Sequence, residues 1–432
     1  MPLKYELLFP AMVAAMIVLA RVKGFRVAAA TAIVVSSALL PMSVLFRSST
    51  PHVGEAAGVP VVYDYSIFLF MAAAAVVVVG IRRLKALKLW LPLVGWLVVS
   101  RLLWWSGTPE QTAGLFLLAQ GILAFGLGSA LGPWRDGNDP HPSILVGTCV
   151  LQVGAVALGA VGVLHLHPSG PQSADLAGRA FGTLGHPDQL AKTLAIGLAA
   201  ILPVAAIGRR RRVVVLGVLA TLGGLALTQG RAAFGGAIAM LLVWVLLQPR
   251  AGGLRRRASV LLVLLIIVVA VSAGTFQERF AQDPAGGSRG HLTAVAVEAV
   301  RARPVTGTGP NAYVTTVGRT DELTATGVPV HNVFLLSAAE LGIPGAALLL
   351  IPFVAMWVAA WRRRAQTGRP GAYARACLGL IPLSIVIGWT GWGLLETSVF
   401  VFFCYICGYF WGNITSDIES LDSSTVEGAI SV

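Results

Sequence analysis

Residues 190–247 read LAKTLAIGLAAILPVAAIGRRRRVVVLGVLATLGGLALTQGRAAFGGAIAMLLVWVLL. Three apolar runs, near 190–207, 213–229 and 232–247, are parted by the cluster Arg209 to Arg212 and by a tight turn at Gln229-Gly230-Arg231. A run of roughly 17–25 apolar residues crosses a hydrocarbon core of about 30 Å as a helix. Lipid offers backbone amides no partner, so a spanning segment is a helix or part of a closed barrel. These runs lack the period-two alternation of barrel strands. The fold class is therefore all-α.

The same pattern recurs outward from this stretch. Comparable runs lie near 7–20, 27–46, 63–80, 89–105, 112–131 and 144–164 before it, and near 258–274, 332–361, 374–393 and 397–413 after it. The expected architecture is a polytopic integral membrane helix bundle of about 12–13 transmembrane helices, with one long extracytoplasmic loop containing short helices. The organisation reads as N-terminal transmembrane helices over 1–174, a core over 175–361 that includes the loop 275–331, C-terminal transmembrane helices over 362–413, and a polar, disordered cytoplasmic tail over 414–432. Residues 7–20 lack a basic lead and a small-residue exit, so the first run is expected to remain as an anchor.

Composition agrees with lipid as the main solvent. The chain is 56% hydrophobic and only 12% charged, with mean hydropathy +0.78. A net charge of +13 would suggest a nucleic-acid partner in a soluble protein. Here most of the cations fall in alternate loops, among them Arg82/Arg83/Lys85/Lys88, Arg209 to Arg212, Arg255 to Arg257 and Arg362/Arg363/Arg364/Arg369/Arg375. By the positive-inside rule these loops are cytoplasmic, which puts the N-terminus outside and the C-terminus inside. Topology thus accounts for the charge, and the expected partner is the bilayer, with no nucleic acid. The cysteines Cys149, Cys377, Cys404 and Cys407 all lie in or beside apolar runs. Cys404 and Cys407 have CxxC spacing but no second ligand pair nearby, so they read as packing residues.

The cations that topology leaves over are the candidates for chemistry. Arg47 and Arg101 stand where a helix meets the outer interface and can snorkel. Arg231 stands in a turn too short to be a solvated loop, so its guanidinium needs an anion: a carboxylate or headgroup phosphate, or a phosphate of a substrate. The long break at 275–331 holds Gly286-Gly287-Ser288, a turn and N-cap, before a helical stretch opened by Arg289. A cation in a first turn opposes the helix dipole unless an anion binds there, and a helix N-terminus plus a guanidinium makes a phosphate site. Arg301 and Arg303, at the far end of that helix, suit its dipole and read as structural. Gly307-Thr308-Gly309-Pro310 lacks a preceding strand and is no dinucleotide loop. His331 starts the next apolar helix at the outer surface, and Pro344 between Gly342 and Gly345 is expected to break that helix. An unperturbed histidine can accept a proton near neutral pH.

At these residues the chain resembles the O-antigen ligase family, which includes O-antigen polymerases. The family signature is a histidine, then Asn, Ser or Gln, nine residues, a glycine, two residues, and Gly, Thr or Tyr; His331, Asn332, Gly342 and Gly345 match every fixed position. An arginine in a short outer turn (Arg231) and an arginine opening a loop helix that leads into Pro304, Gly307 and Gly309 (Arg289) keep the family's order. The turn arginine is flanked here by Gly230 and Ala232 rather than by serine and glycine. His186-Pro187-Asp188-Gln189 stands where the family often has asparagines, which bears on the sugar side of the site.

The resemblance implies a membrane glycosyltransferase in the bacterial plasma (inner) membrane, with its active site on the extracytoplasmic face. It implies an undecaprenyl-pyrophosphate-linked glycan as donor, a glycan or glycolipid as acceptor, and neither metal nor cofactor. In that reading Arg231 and Arg289 stabilise the departing pyrophosphate, His331 is the general base, and Asn332 orients His331 or caps its helix. Arg179, His186, Lys192 and His291 are further candidates for substrate contact. A polymerase that adds repeat units to a lipid-linked chain is the nearest alternative, then a lipid or glycan transporter and a non-enzymatic scaffold.

Overall fold

The structure is a computed structural model. It describes residues 3–39, 64–78, 84–134, 139–164, 179–207, 211–249, 288–391, 393–395 and 397–416, with isolated positions between 259 and 274. The described residues form helices and connecting turns, with no strand among them.

Among the described residues nine α-helices precede the long loop: α1 (Leu3–Lys23), α2 (Phe25–Leu39), α3 (Asp64–Val78), α4 (Leu91–Leu103) after the 3-10 turn Leu84–Trp90, α5 (Pro109–Leu131), α6 (His141–Ala160), α7 (Pro187–Ile207), α8 (Arg211–Thr228) and α9 (Arg231–Leu246). The loop carries α10 (Arg289–Ala302), α11 (Tyr313–Val317) and α12 (Glu322–Ala325). Then come α13 (Val333–Arg363), α14 (Gly368–Thr390) and α15 (Thr397–Thr415). Seven helices among the described residues are long and apolar enough to cross a membrane, and the shorter apolar helices α2, α8 and α9 accompany them. The chain is a multi-pass, all-α membrane protein. The expected run at 258–274, the end of the run at 27–46, Arg47, the opening of the loop to 287 and the tail beyond 416 lie outside the described residues.

Local chemistry sets the helix ends that matter here. Thr108 caps α5 in a capping box with Gln111, behind Pro109 at the first helical position. The Gln111 side chain also donates to the carbonyl of Thr308 at 2.9 Å, which ties α5 to the loop. In α13 the ladder breaks at Gly342, whose φ of 72° and ψ of 165° are non-helical. Pro344 has no N–H, so the carbonyl of Glu340 loses its normal donor. The N–H of Gly309 takes that carbonyl at 2.8 Å, Thr308 N–H takes Ala339 at 2.9 Å, and Ile343 N–H turns to Pro304 at 2.8 Å. Pro304 to Gly309 is thus docked backbone to backbone on the broken helix. A Cβ on Gly307 would overlap the carbonyl of Glu340, and one on Gly342 that of Val305.

A buried polar network closes the opposite end of the bundle. Asp139 Oδ1 meets His141 Nδ1 at 2.8 Å, while Oδ2 accepts from Arg369 Nη2, Tyr373 OH and Tyr409 OH, each at 2.9 Å. Tyr405 OH lies 2.8 Å from His141 Nε2. Burial alone would raise the Asp139 pKa, but the His141 ring and the Arg369 guanidinium outweigh it and hold the value at about 2. The four cysteines are free and buried.

Candidate active site at the loop end

The start of α7 carries two charged residues, Asp188 and Lys192, that act on His331. Asp188 and Lys192 lie one turn apart on it, and Ala191 lies between them in sequence. Asp188, in that first turn, complements the helix dipole. Its Oδ1 is 2.7 Å from Arg179 Nη2, and its backbone N–H donates to His186 Nδ1 at 3.2 Å. The Asp188 carboxylate also lies in the field of Lys192. Arg179 is 7% exposed and gives its Nε to the carbonyl of Thr228 at 3.1 Å.

Arg231 and Arg289 hold the same position in two different helices. Each is the first residue of its helix, and neither N-cap, Gly230 nor Ser288, makes a side-chain cap hydrogen bond. Helix N-termini without side-chain caps present N–H groups and a positive dipole end, so each arginine adds its cation to a place already suited to an anion. Arg231 is half-buried and Arg289 exposed. The turn that carries Arg231 is packed on α7: a Cβ added at Gly230 would come within 2.9 Å of the Cβ of Ala191.

His331 completes the cluster. Its Nδ1 is buried with no hydrogen-bond partner among the described residues. Burial, then the charges of Arg289 and Lys192, push its pKa down from 6.5 to about 4, against smaller opposing effects of Asp188 and the Pro329 backbone. The ring is therefore neutral at pH 7, with one nitrogen that no described residue engages. Asn332 caps α13, its Oδ1 accepting from Leu335 N–H at 3.0 Å. That cap fixes the direction in which the chain leaves His331.

The remaining candidates fall in different places. His186 stands at the start of α7 beside Asp188. His291, in the first turn of α10, has its Nε2 2.6 Å from Asp321 Oδ1, and Asp321 in turn caps α12 through Thr324 N–H at 2.8 Å. That pair braces the loop helices against each other. Pro304, Gly307, Gly309, Gly342, Pro344 and Gly345 form the docking seam beside the site, where the Trp96 indole donates to the carbonyl of Leu341 at 3.1 Å. Asp188 is the member of the cluster that sequence reasoning misses. Its signal is an acidic residue opening an apolar helix in a chain with few acidic residues.

Residues 216–350 match the family model described as O-antigen ligase. The match runs from within α8 into α13 and takes in Arg231, Arg289, His331, Asn332, Gly342 and Gly345, while the first turn of α7 precedes it. No curated protein matches the chain. Residues 216–350 of this multi-pass membrane protein thus match the O-antigen ligase family, the family that the motif at His331 resembles.

Proposed function

We propose that the chain is a glycosyltransferase that moves a glycan from an undecaprenyl-pyrophosphate carrier to an acceptor hydroxyl, without a metal, on the extracytoplasmic face of the bacterial plasma membrane. The observation that carries this reading is a neutral His331, with a ring nitrogen that no described residue engages, in the field of Arg289 and of Lys192, whose neighbour Ala191 packs against the turn that presents Arg231.

The acceptor oxygen attacks the anomeric carbon of the donor glycan. The bond from that carbon to the pyrophosphate oxygen breaks, and its electron pair leaves with the undecaprenyl pyrophosphate. The acceptor proton passes to His331. Negative charge grows on the departing pyrophosphate, where Arg231, Arg289 and the two helix N-termini are preorganised to receive it. The arriving pyrophosphate also offsets the cations that depress His331, which makes the ring a stronger base once the donor is bound. Lys192 and His186 are proposed to contact the donor's charged and sugar portions, and Asn332 to hold His331 in register.

The same chemistry would serve a polymerase adding repeat units to a lipid-linked chain, since only the acceptor differs. Deleting the gene and analysing the accumulated carrier-linked intermediates by mass tests both readings. Complete carrier-linked chains without attachment indicate ligation, and single unextended units indicate polymerisation. Unchanged surface glycans with no accumulated intermediate would contradict both.

A further inference from the structure

Helix α8 ends at Thr228, and its last four carbonyls need donors from outside the helical ladder. All four have one. Leu225 accepts from Thr228 Oγ1 at 2.8 Å, Ala226 from Gln229 N–H at 3.2 Å, Leu227 from Ala180 N–H at 3.0 Å, and Thr228 from Arg179 Nε at 3.1 Å. Two of these donors come from a segment roughly one helix pair earlier in the chain. The same arginine continues to Asp188 Oδ1, so one ion pair bridges the C-terminal end of α8 and the N-terminal end of α7. The cation sits at the negative dipole end and the anion at the positive one, so each suits its helix. Gln229 then takes a left-handed φ of 53°, and the chain reverses through Gly230 into Arg231.

Resting on the function proposed above, we infer that Arg179 and Asp188 are positioning residues: together they clamp the 228–231 turn onto α7 and set where the Arg231 guanidinium points. Arg179 itself is buried, with its Nε and one Nη committed to the clamp. It acts through Arg231 and does not touch the pyrophosphate. Arg179 and Asp188 lie before the matched stretch 216–350, while the Thr228 carbonyl that Arg179 holds lies within it.

The test uses the full-length protein in lipid nanodiscs. Hydrogen exchange is read in Arg179→Gln and in the milder Asp188→Asn, where the amide oxygen still accepts from Arg179. Faster exchange confined to amides 226–233 is expected in Arg179→Gln and a smaller effect in Asp188→Asn; unchanged exchange there in Arg179→Gln overturns the clamp. Transfer kinetics are then read in a double-mutant cycle with Arg231→Gln. A misplacement of about 1 Å can cost on the order of a hundredfold in rate. Arg179→Gln alone is therefore expected to lower kcat by roughly ten- to a hundredfold, and by less than about twofold in the Arg231→Gln background. An equal loss in both backgrounds would make Arg179 an independent contact and overturn the inference. An Arg231→Gln protein as active as wild type would instead overturn the proposed function, a result distinguishable because the exchange change at 226–233 would persist.

Discussion

The proton acceptor gives the sharpest prediction, since its environment sets the pH at which transfer fails. Transfer requires a neutral His331, so activity falls as pH drops through its pKa. For an ordinary histidine that limb lies near 6.5. Burial, Arg289 and Lys192 bring it to about 4 in the donor-free protein. At pH 5.5 a ring with the lower value is almost wholly neutral, whereas an unperturbed one is roughly nine-tenths protonated. The two cases differ roughly tenfold in activity at that pH. The assay is kcat/KM for a lipid-linked donor over pH 3.5–8 in nanodiscs, because that ratio reports the free enzyme. The acid limb should lie near 4 in kcat/KM and higher in kcat, where bound pyrophosphate adds negative charge. Lys192→Met removes a depressing charge and should move the kcat/KM limb upward; Asp188→Asn removes an opposing one and should move it downward. A wild-type limb at 6.5, or one that Lys192→Met leaves in place, would refute the electrostatic reasoning.

Arg289→Gln should reduce kcat by about 10² to 10³, the usual cost of removing one preorganised donor from a developing oxyanion, with protein levels unchanged; single-turnover transfer measures it. Gly342→Ala places a Cβ against the Val305 carbonyl at a left-handed φ of 72°, so it should destabilise the loop seam. A cost of roughly 2 kcal/mol or more is expected, and thermal melting in detergent together with proteolysis at 304–311 would detect it. Asp139→Ala strands Arg369 and His141 at the other end of the bundle and should cost about 3 kcal/mol, read as a lower melting temperature with little change in KM. Because the folded pKa of Asp139 lies below the unfolded value of 3.8, its contribution is present above about pH 4 and lost as pH falls through 2. Melting curves over that window should therefore show an acid-dependent loss in wild type that Asp139→Ala lacks.

The spans are legible in the sequence because hydropathy is a property of consecutive residues. The run expected at 112–131 is the helix Pro109–Leu131, and that at 332–361 is Val333–Arg363 with its break at Gly342. The placement of Arg231 and Arg289 at helix starts is equally local, set by the turn residues before them and the apolar residues after them. What the linear pattern hides are partners distant in the chain. Arg369 is fully explained in sequence as one cation of a cytoplasmic loop, and nothing there points to Asp139, 230 positions earlier. Arg179 reads as a surplus cation available to substrate, because one of its two acceptors is a backbone carbonyl at a helix end and carbonyls leave no mark in a sequence. Asp188 shows in sequence only as an acidic residue opening an apolar helix, at a place where the family often has asparagine. Its bearing on His331 requires the fold to bring the start of α7 to the start of α13.

The central claim is that His331 takes the acceptor proton, and purified His331→Ala in nanodiscs tests it most directly. With a lipid-linked glycan donor and acceptor supplied together, the variant is predicted to bind donor with near-normal affinity and to lose transfer by at least about a hundredfold. Transfer at the wild-type rate by a folded His331→Ala protein would contradict that claim.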